Sequence, residues 1–420
     1  MQSVSRTVLA VSIGATLLFP SAITATTHSV GSDLQSAIDS AVSGDTLHLA
    51  PGQYEASPIS FTDTLCGNCE KPRTPHYASY GYRVKGKSLW IIGSGTDETI
   101  LVTKAGYGIF FDDCPDAGIM NLAITGGIRD TSGLATDAGV VARNSRLTVQ
   151  NCWIRDNTEY PESLIVGIGG VMGREGAELY ILNNRITNNT WDGIALYRGA
   201  TATIADNVIH KGRGAGVGIT WDATATVVRN QVSQFWKGIG SFGATRVICK
   251  NNVVYHCLGW GIIATGTSYM DCANNIILRN GNCGFGLWGK ETHGRMTNNI
   301  IAYNGWREEW VCPQVGVWNY GHPIQFPMSY NILWENATGD WRDMPDYTNE
   351  DGNVHTDPLW DTLTFFPLPG SPLLDTGNPE LTDPDGTPSD IGIYGGPQAY
   401  RQAVEVPRTA PVDIPRRKKQ

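Results

Sequence analysis

Charge is scarce in this chain of 420 residues, and basic residues are the minority: 31 lysines and arginines stand against 40 aspartates and glutamates, a net charge of −9. That balance argues against a nucleic-acid partner, which requires a basic face. Long apolar runs are lacking as well. The run 8–19 in "MQSVSRTVLAVSIGATLLFPSAITATT" is too short to span a bilayer. No other segment approaches the roughly 18 apolar residues of a membrane helix, so a membrane-spanning chain is not expected. Arg6 before that run and small residues up to Ala25 after it read as a signal peptide over 1–25. The mature protein is then secreted or periplasmic, where disulfides persist. Cysteine pairs at zinc spacing are missing: among nine cysteines, only "CGNC" at 66–69 is closely spaced, which favours a local disulfide or loop thiols over a metal. The 49 glycines follow no Gly-X-Y period, which excludes collagen, and no sustained 3.6-residue period marks a helical repeat.

What the chain does contain is a returning phrase, "NNVV", "NNII", "NNII". Its second asparagine, or the equivalent, falls at Asn184, Asn207, Asn230, Asn252, Asn275 and Asn299, with intervals of 23, 23, 22, 23 and 24. Looser members stand at Asn121, Asn151 and Asn331. A fixed period in this range signals a solenoid. Each unit, for example "NVIHKGRGAGVGITWDATATVVR", holds three short β-branched runs broken by glycine or asparagine. Three strands per unit would stack as parallel strands about 4.8 Å apart. The repeated asparagine is expected to take a left-handed turn position and pass its amide to the next rung.

Period, asparagine ladder and coil anatomy over residues 28–335 resemble the right-handed parallel β-helix proteins of the pectin-lyase-like superfamily. The resemblance implies an all-β fold of three-strand coils with an N-terminal cap. "HSVGSDLQSAIDSAVSGDTLHLAPGQY" would supply that cap as a strand and an amphipathic helix bearing Leu34, Ile38 and Ala41. "GSPLLDTGNPELTDPDGTPSDIGIYGGP" is similar to the C-terminal segment of secreted bacterial β-helix proteins, giving a capping segment over 336–400. The Pro-rich, basic stretch 401–420 reads as a disordered tail. A monomer is expected. Lyases, hydrolases, epimerases and adhesins share this tube, so function must come from the site.

In that superfamily the strand reached after the variable loop lines the substrate groove. Here it reads "GIFFDD" from Gly108, "GIALYR" from Gly193, "GVGITW" from Gly216 and "GFGLWG" from Gly284. Alternation sends the second and fourth residues into the tube and the third and fifth outward. The fifth column runs Asp112, Arg143, Arg174, Tyr197, Thr220, Phe242, Thr265, Trp288, beside a third column with Ala195, Gly218, Gly240 and Gly286. Small residues beside rings form a trough for sugar faces, with Tyr197, Arg213, Trp221, Phe242 and Trp288 as substrate-binding candidates. Arg143 and Arg174 lie one rung apart and Arg198 follows. Like charges so placed destabilise a sheet unless carboxylates offset them or an anionic ligand visits. "HKGRGA" and "QFWKG" add His210, Lys211, Arg213 and Lys237 on the neighbouring loops.

An exported protein acting on an acidic polysaccharide fits these residues. β-Elimination of a uronate needs its carboxylate neutralised, a base for the C5 proton and an acid for the leaving oxygen. Arg143, Arg174 and Arg198 suit the clamp, and Ca2+ held by Asp112, Asp113 and Glu175 could share that role. His210, Lys211 or Tyr197 would move the proton. Returning the proton to the opposite face would make an epimerase. Hydrolysis asks for two carboxyl groups about 5–9.5 Å apart, and the β-helix polygalacturonase motifs are missing. The rival class is a non-catalytic glycan-binding or structural cell-surface protein.

Overall fold

The computed structural model describes residues 25–134, 136–160, 163–308, 310–320 and 326–405. The signal-peptide segment, apart from Ala25, and positions 406–420 of the tail lie outside them. Three sheets of twelve strands each run the length of the molecule. Sheet 1 begins at Thr27–Val30, sheet 2 at Gly52–Glu55 and sheet 3 at Ile59–Asp63. The chain visits them in rotation, and nearly every pairing is parallel with its equivalent one coil on, as in Ile204 to Val227 to Cys249 to Cys272. The exception is the antiparallel pair Ile59–Asp63 and His76–Lys85, which forms one edge of sheet 3. Inward-facing Ile, Val and Leu from all three sheets fill one continuous core. Among the described residues no helix is long and apolar enough to cross a membrane.

The asparagine phrase performs two jobs, divided between its two members. The first residue takes the left-handed conformation: Asn183, Asn251, Asn274 and Asn298 have φ between 53° and 56°. The second carries the ladder, its amide donating to the next rung from Asn184 through Asn207, Asn230, Asn252, Asn275, Asn299 and Asn331 to Asn353, at 2.8–3.0 Å. Asn151 is therefore not a rung of this ladder. It has φ 53°, and Cys152 occupies the ladder position, its N–H donating to Asn184. A second ladder lies five positions further on, in Asn157–Asn189 and in Asn280–Asn304–Asn336. Asn252 satisfies Val227 O and Asn275 while accepting from the Asn230 backbone and side chain. Asn252→Ala leaves these buried groups unpaired, and we expect a loss of about 2–3 kcal/mol in guanidinium unfolding. Asn183→Gly, which suits the positive φ, should stay within about 0.5 kcal/mol.

Segments flanking the coils on both sides pack on the tube. The helix Leu34–Ser40 is N-capped by Asp33, which accepts from Ser36 N at 3.0 Å, and it buries Leu34 and Ile38 on the open end of the core. The C-terminal segment, expected as a cap over 336–400, supplies two last short strands and then covers a flank. Trp360, Phe365, Leu373, Ile391 and Ile393 pack on the outer side of sheet 2. Asn251, Asn274 and Asn298 fasten it there through their side chains.

Candidate functional site

The outer face of sheet 3 carries the chemistry, because its strands open on glycine and expose three columns. Ile109, Phe111, Val140, Ile194, Leu196, Val217, Ile219, Phe285 and Leu287 point into the core, as alternation requires. The third and fifth columns face out. So does the residue just before each opening glycine: Tyr107 and Ala138 pack outside with Phe110 and Val141.

The first coils of this face are covered. The loop 64–75, between the two edge strands, lies over them, and at its root stands Asp63, which sequence reasoning missed. Asp63 accepts from Arg143 Nη1 at 2.6 Å, from Arg174 Nη2, and from the Tyr107 hydroxyl at 3.1 Å. Arg143 also holds Asp112 at 2.7 Å, and Arg83 binds the other oxygen of Asp112. Arg174 is 0% exposed and donates further to Glu175 and Leu65 O. The disulfide-closed loop Cys66–Cys69 sits on it, and a side chain at Gly67 would strike the Arg174 stem. Arg198 donates to the Cys69 and Glu70 carbonyls and stacks on Trp221 at 4.0 Å. The expected arginine clamp is thus neutralised and capped within the chain: carboxylates offset the like charges.

The expected metal set does not assemble either. Asp112 is held by two arginines, and Asp113, at φ 56°, accepts from Asn144 instead. Glu175 is paired with Arg174. Among the described residues no group of three His, Cys, Asp or Glu is placed to hold a metal. His210 and Lys211 also lie elsewhere than expected. His210 ends a strand of sheet 2 and lies 2.9 Å from Ser233 Oγ, with burial pulling its pKa down. Lys211 follows it, exposed, at φ 65°. Arg213 bonds the Tyr160 hydroxyl at 3.1 Å.

Beside loop 64–75, loop 126–137 packs on the same face. Asp137 pairs with buried Arg129 at 2.6 Å, and Asp130 accepts from Ser79 N and Oγ at 2.9 and 2.7 Å. Burial, reinforced by the charge of Asp137, pushes the Asp130 pKa up to about 7. An unfolded aspartate releases its proton near 3.9. The folded chain therefore binds more protons in between, and stability should fall as pH rises from about 4 to about 7, by up to about 1.4 kcal/mol per unit. Guanidinium titrations across that range should show the slope flattened in Asp130→Asn.

The middle coils combine reactive groups with a small-residue floor. Asp192, Ala215 and Lys237 occupy successive rungs of the column before the glycines, set by the register Ile194 to Val217 to Ile239. Ala195, Gly218 and Gly240 form the floor beside them. Asp192 is 7% exposed; its Oδ1 accepts from Ala215 N at 2.6 Å and its Oδ2 lies 3.5 Å from the Tyr197 hydroxyl. Burial raises the Asp192 pKa to about 6 and pushes Tyr197 well above its ordinary value. Burial lowers the Lys237 pKa, and the charge of Asp192 opposes that shift. The Lys237 ammonium lies over the Phe242 ring at 5.3 Å. Trp221 stands half-buried beside Tyr197, its indole N–H without a partner among the described residues. Sequence reasoning placed Lys237 on a loop and missed Asp192. Their shared position, directly before an opening glycine in "WDG" and "WKG", is the signal that pairs them.

Beyond Lys237 the face becomes aromatic. Trp236, Trp260, Trp288 and Trp318 pack with Cys283, Cys312 and Val315. Trp288, expected to stand in an open trough, is half-buried between Trp260 at 5.9 Å and Tyr320 at 4.9 Å.

Residues 166–333 match the family model described as right handed beta helix region. The three parallel sheets make the chain a parallel β-helix, right-handed by that match. Residues 91–230 of the β-helix also match a model described as periplasmic copper-binding protein (NosD). The curated relatives include SHC SH2 domain-binding protein 1 of Mus musculus and of Homo sapiens. Each is 26% identical, over 43% and 44% of this β-helix but only 21% and 26% of their own length. The chain thus spans about a quarter of those relatives. Solved structures similar in fold include the A-module of a mannuronan C-5 epimerase from Azotobacter vinelandii, at 13% identity and TM-score 0.40, covering 77% of this chain and 94% of that one. An alginate lyase from Paenibacillus sp. has 14% identity and TM-score 0.43, covering 79% and 98%.

Proposed function

We propose that this β-helix acts on an acidic polysaccharide laid across sheet 3, breaking it by β-elimination at Asp192, Tyr197 and Lys237. One observation carries the reading: a buried carboxyl beside a phenol, with a lysine two rungs along the same column, faces a small-residue floor. The Lys237 ammonium would neutralise the uronate carboxylate and make the C5 proton acidic. Asp192, ionised above about pH 6, suits the base for that proton, since a base titrating near working pH is most effective. Tyr197, held protonated by burial, would donate to the leaving O4 and recover a proton from Asp192, its hydrogen-bond neighbour. The C5–H and C4–O4 bonds break and a C4–C5 double bond forms. Lys237, Asp192 and Tyr197 replace the arginines, His210 and Lys211 in these roles, and no Ca2+ is called for.

Among the described residues one carboxyl lies in this cluster, which disfavours the paired-carboxylate chemistry of hydrolysis. A second reading, glycan binding without turnover, draws on the exposure of Trp310 (50%) and Tyr320 (49%) at the far end of the face. Incubation with pectate, alginate and glycosaminoglycans, followed by ultraviolet absorbance of the unsaturated uronate, separates the two. Retained binding with no unsaturated product from any polymer would overturn the lyase reading.

A further inference from the structure

Seven cysteines outside the Cys66–Cys69 bridge are buried thiols in this structure. Five are held apart by their surroundings. Cys114, Cys152 and Cys257 each donate to a backbone carbonyl at 3.3–3.7 Å. Cys249 and Cys272 stand directly opposite each other in neighbouring parallel strands of sheet 1. Strands in register keep their side chains at the strand separation of about 4.8 Å. A disulfide requires Cβ atoms about 3.5–4.5 Å apart, so this pair cannot close without moving the sheet. Cys249 also engages the asparagine ladder, at Asn275 and Asn252.

Cys283 and Cys312 are placed differently. Cys283 directly precedes the opening glycine Gly284, in the column of Asp192, Lys237 and Trp260, and its Sγ lies beside outward-facing Gly286. Cys312 belongs to the insertion 303–316, between the strands Ile300–Ala302 and Val317–Asn319. The two thiols are 0% and 1% exposed and share one apolar cluster. Backbone bonds already fix the approach: Gly284 N donates to Val315 O at 3.0 Å, and Asn282 Nδ2 to Glu308 O at 3.1 Å. One partner is on a strand and the other on an insertion, so no strand register holds their Cβ atoms apart.

We propose that Cys283 and Cys312 close as a disulfide when the chain folds in an oxidising medium, stapling the insertion 303–316 to the outer face of sheet 3. One thiolate attacks a sulfur of an oxidant disulfide, a small thiol disulfide or a dithiol oxidoreductase, and the second displaces the resulting mixed disulfide. The cysteine pair loses two electrons and two protons, and the oxidant leaves as two thiols. Burial raises the Cys283 pKa, so closure belongs to folding, before the insertion docks. The staple holds Trp310, on the same insertion, against Trp236 at 4.7 Å, beside Lys237.

The full chain, refolded in mixed reduced and oxidised glutathione, is acid-quenched and alkylated under denaturing, non-reducing conditions. We expect five alkylated cysteines, and peptide mapping should find the 283–312 link. Seven alkylated cysteines, or a link between Cys249 and Cys272, would overturn the proposal. Cys249→Ser should keep the 283–312 link. Cys312→Ser should lose it and cleave faster within 303–316 under limited proteolysis. The wild-type mass decides the matter even where that variant folds poorly.

Discussion

Asp63→Ala is expected to destabilise the protein by about 3–5 kcal/mol, the usual result of removing one partner from a buried ion pair. The carboxylate lies between two guanidiniums and the Tyr107 hydroxyl, and Arg174 is fully buried. Its removal leaves Arg174 with Glu175, Leu65 O and the Tyr107 hydroxyl, and Arg143 with Asp112 alone. Guanidinium unfolding of Asp63→Ala, Arg174→Met and the double variant measures the coupling. The double variant should lose much less than the two single losses added, because no uncompensated charge stays buried. A single-variant loss within about 0.5 kcal/mol would mean that water reaches these arginines.

Asp192→Asn is expected to cut turnover on a responsive polyuronate by about 10²–10⁴-fold, the range for loss of a positioned proton acceptor. The amide can still accept from Ala215 N through its oxygen, so the fold should persist. Wild-type kcat/KM should rise with pH through about 6, as Asp192 ionises, and the variant should lose that limb. Lys237→Met should lower kcat as well as raise KM, having removed the charge that binds the carboxylate and acidifies the C5 proton. Turnover of Asp192→Asn within tenfold of wild type would remove Asp192 from the role of base.

The coil is legible in the sequence because its signal is local and repeated: an asparagine every 22–24 residues and glycine at the head of most sheet 3 strands. Inward and outward faces follow from alternation alone. The second ladder is equally local, five residues after the first, but Gly212, Phe235 and Cys257 interrupt it in the middle coils. The arginine cluster is misleading for a different reason. Its partner Asp63 lies 80 and 111 residues away from Arg143 and Arg174, in an insertion outside the repeat. A column of side chains read from one sheet shows what faces out, not what lies on top. Asp192 and Lys237 were obscured by a narrower choice, counting columns from the glycine onward when the residue before it also faces out.

The lapse of the second ladder bears on how this molecule tolerates change. A ladder of amides is a length gauge: a coil that gains or loses a residue ahead of Asn280 or Asn304 forfeits bonds on both neighbouring rungs. The coils through Gly212, Phe235 and Cys257 carry no asparagine amide at that corner, although Cys257 N still donates to Asn280, and they frame Asp192 and Lys237. The rim of the site can therefore be lengthened, shortened or rebuilt while the first ladder still keeps every rung in step. The stiffest tube wall and the most editable loops thus belong to the same coils.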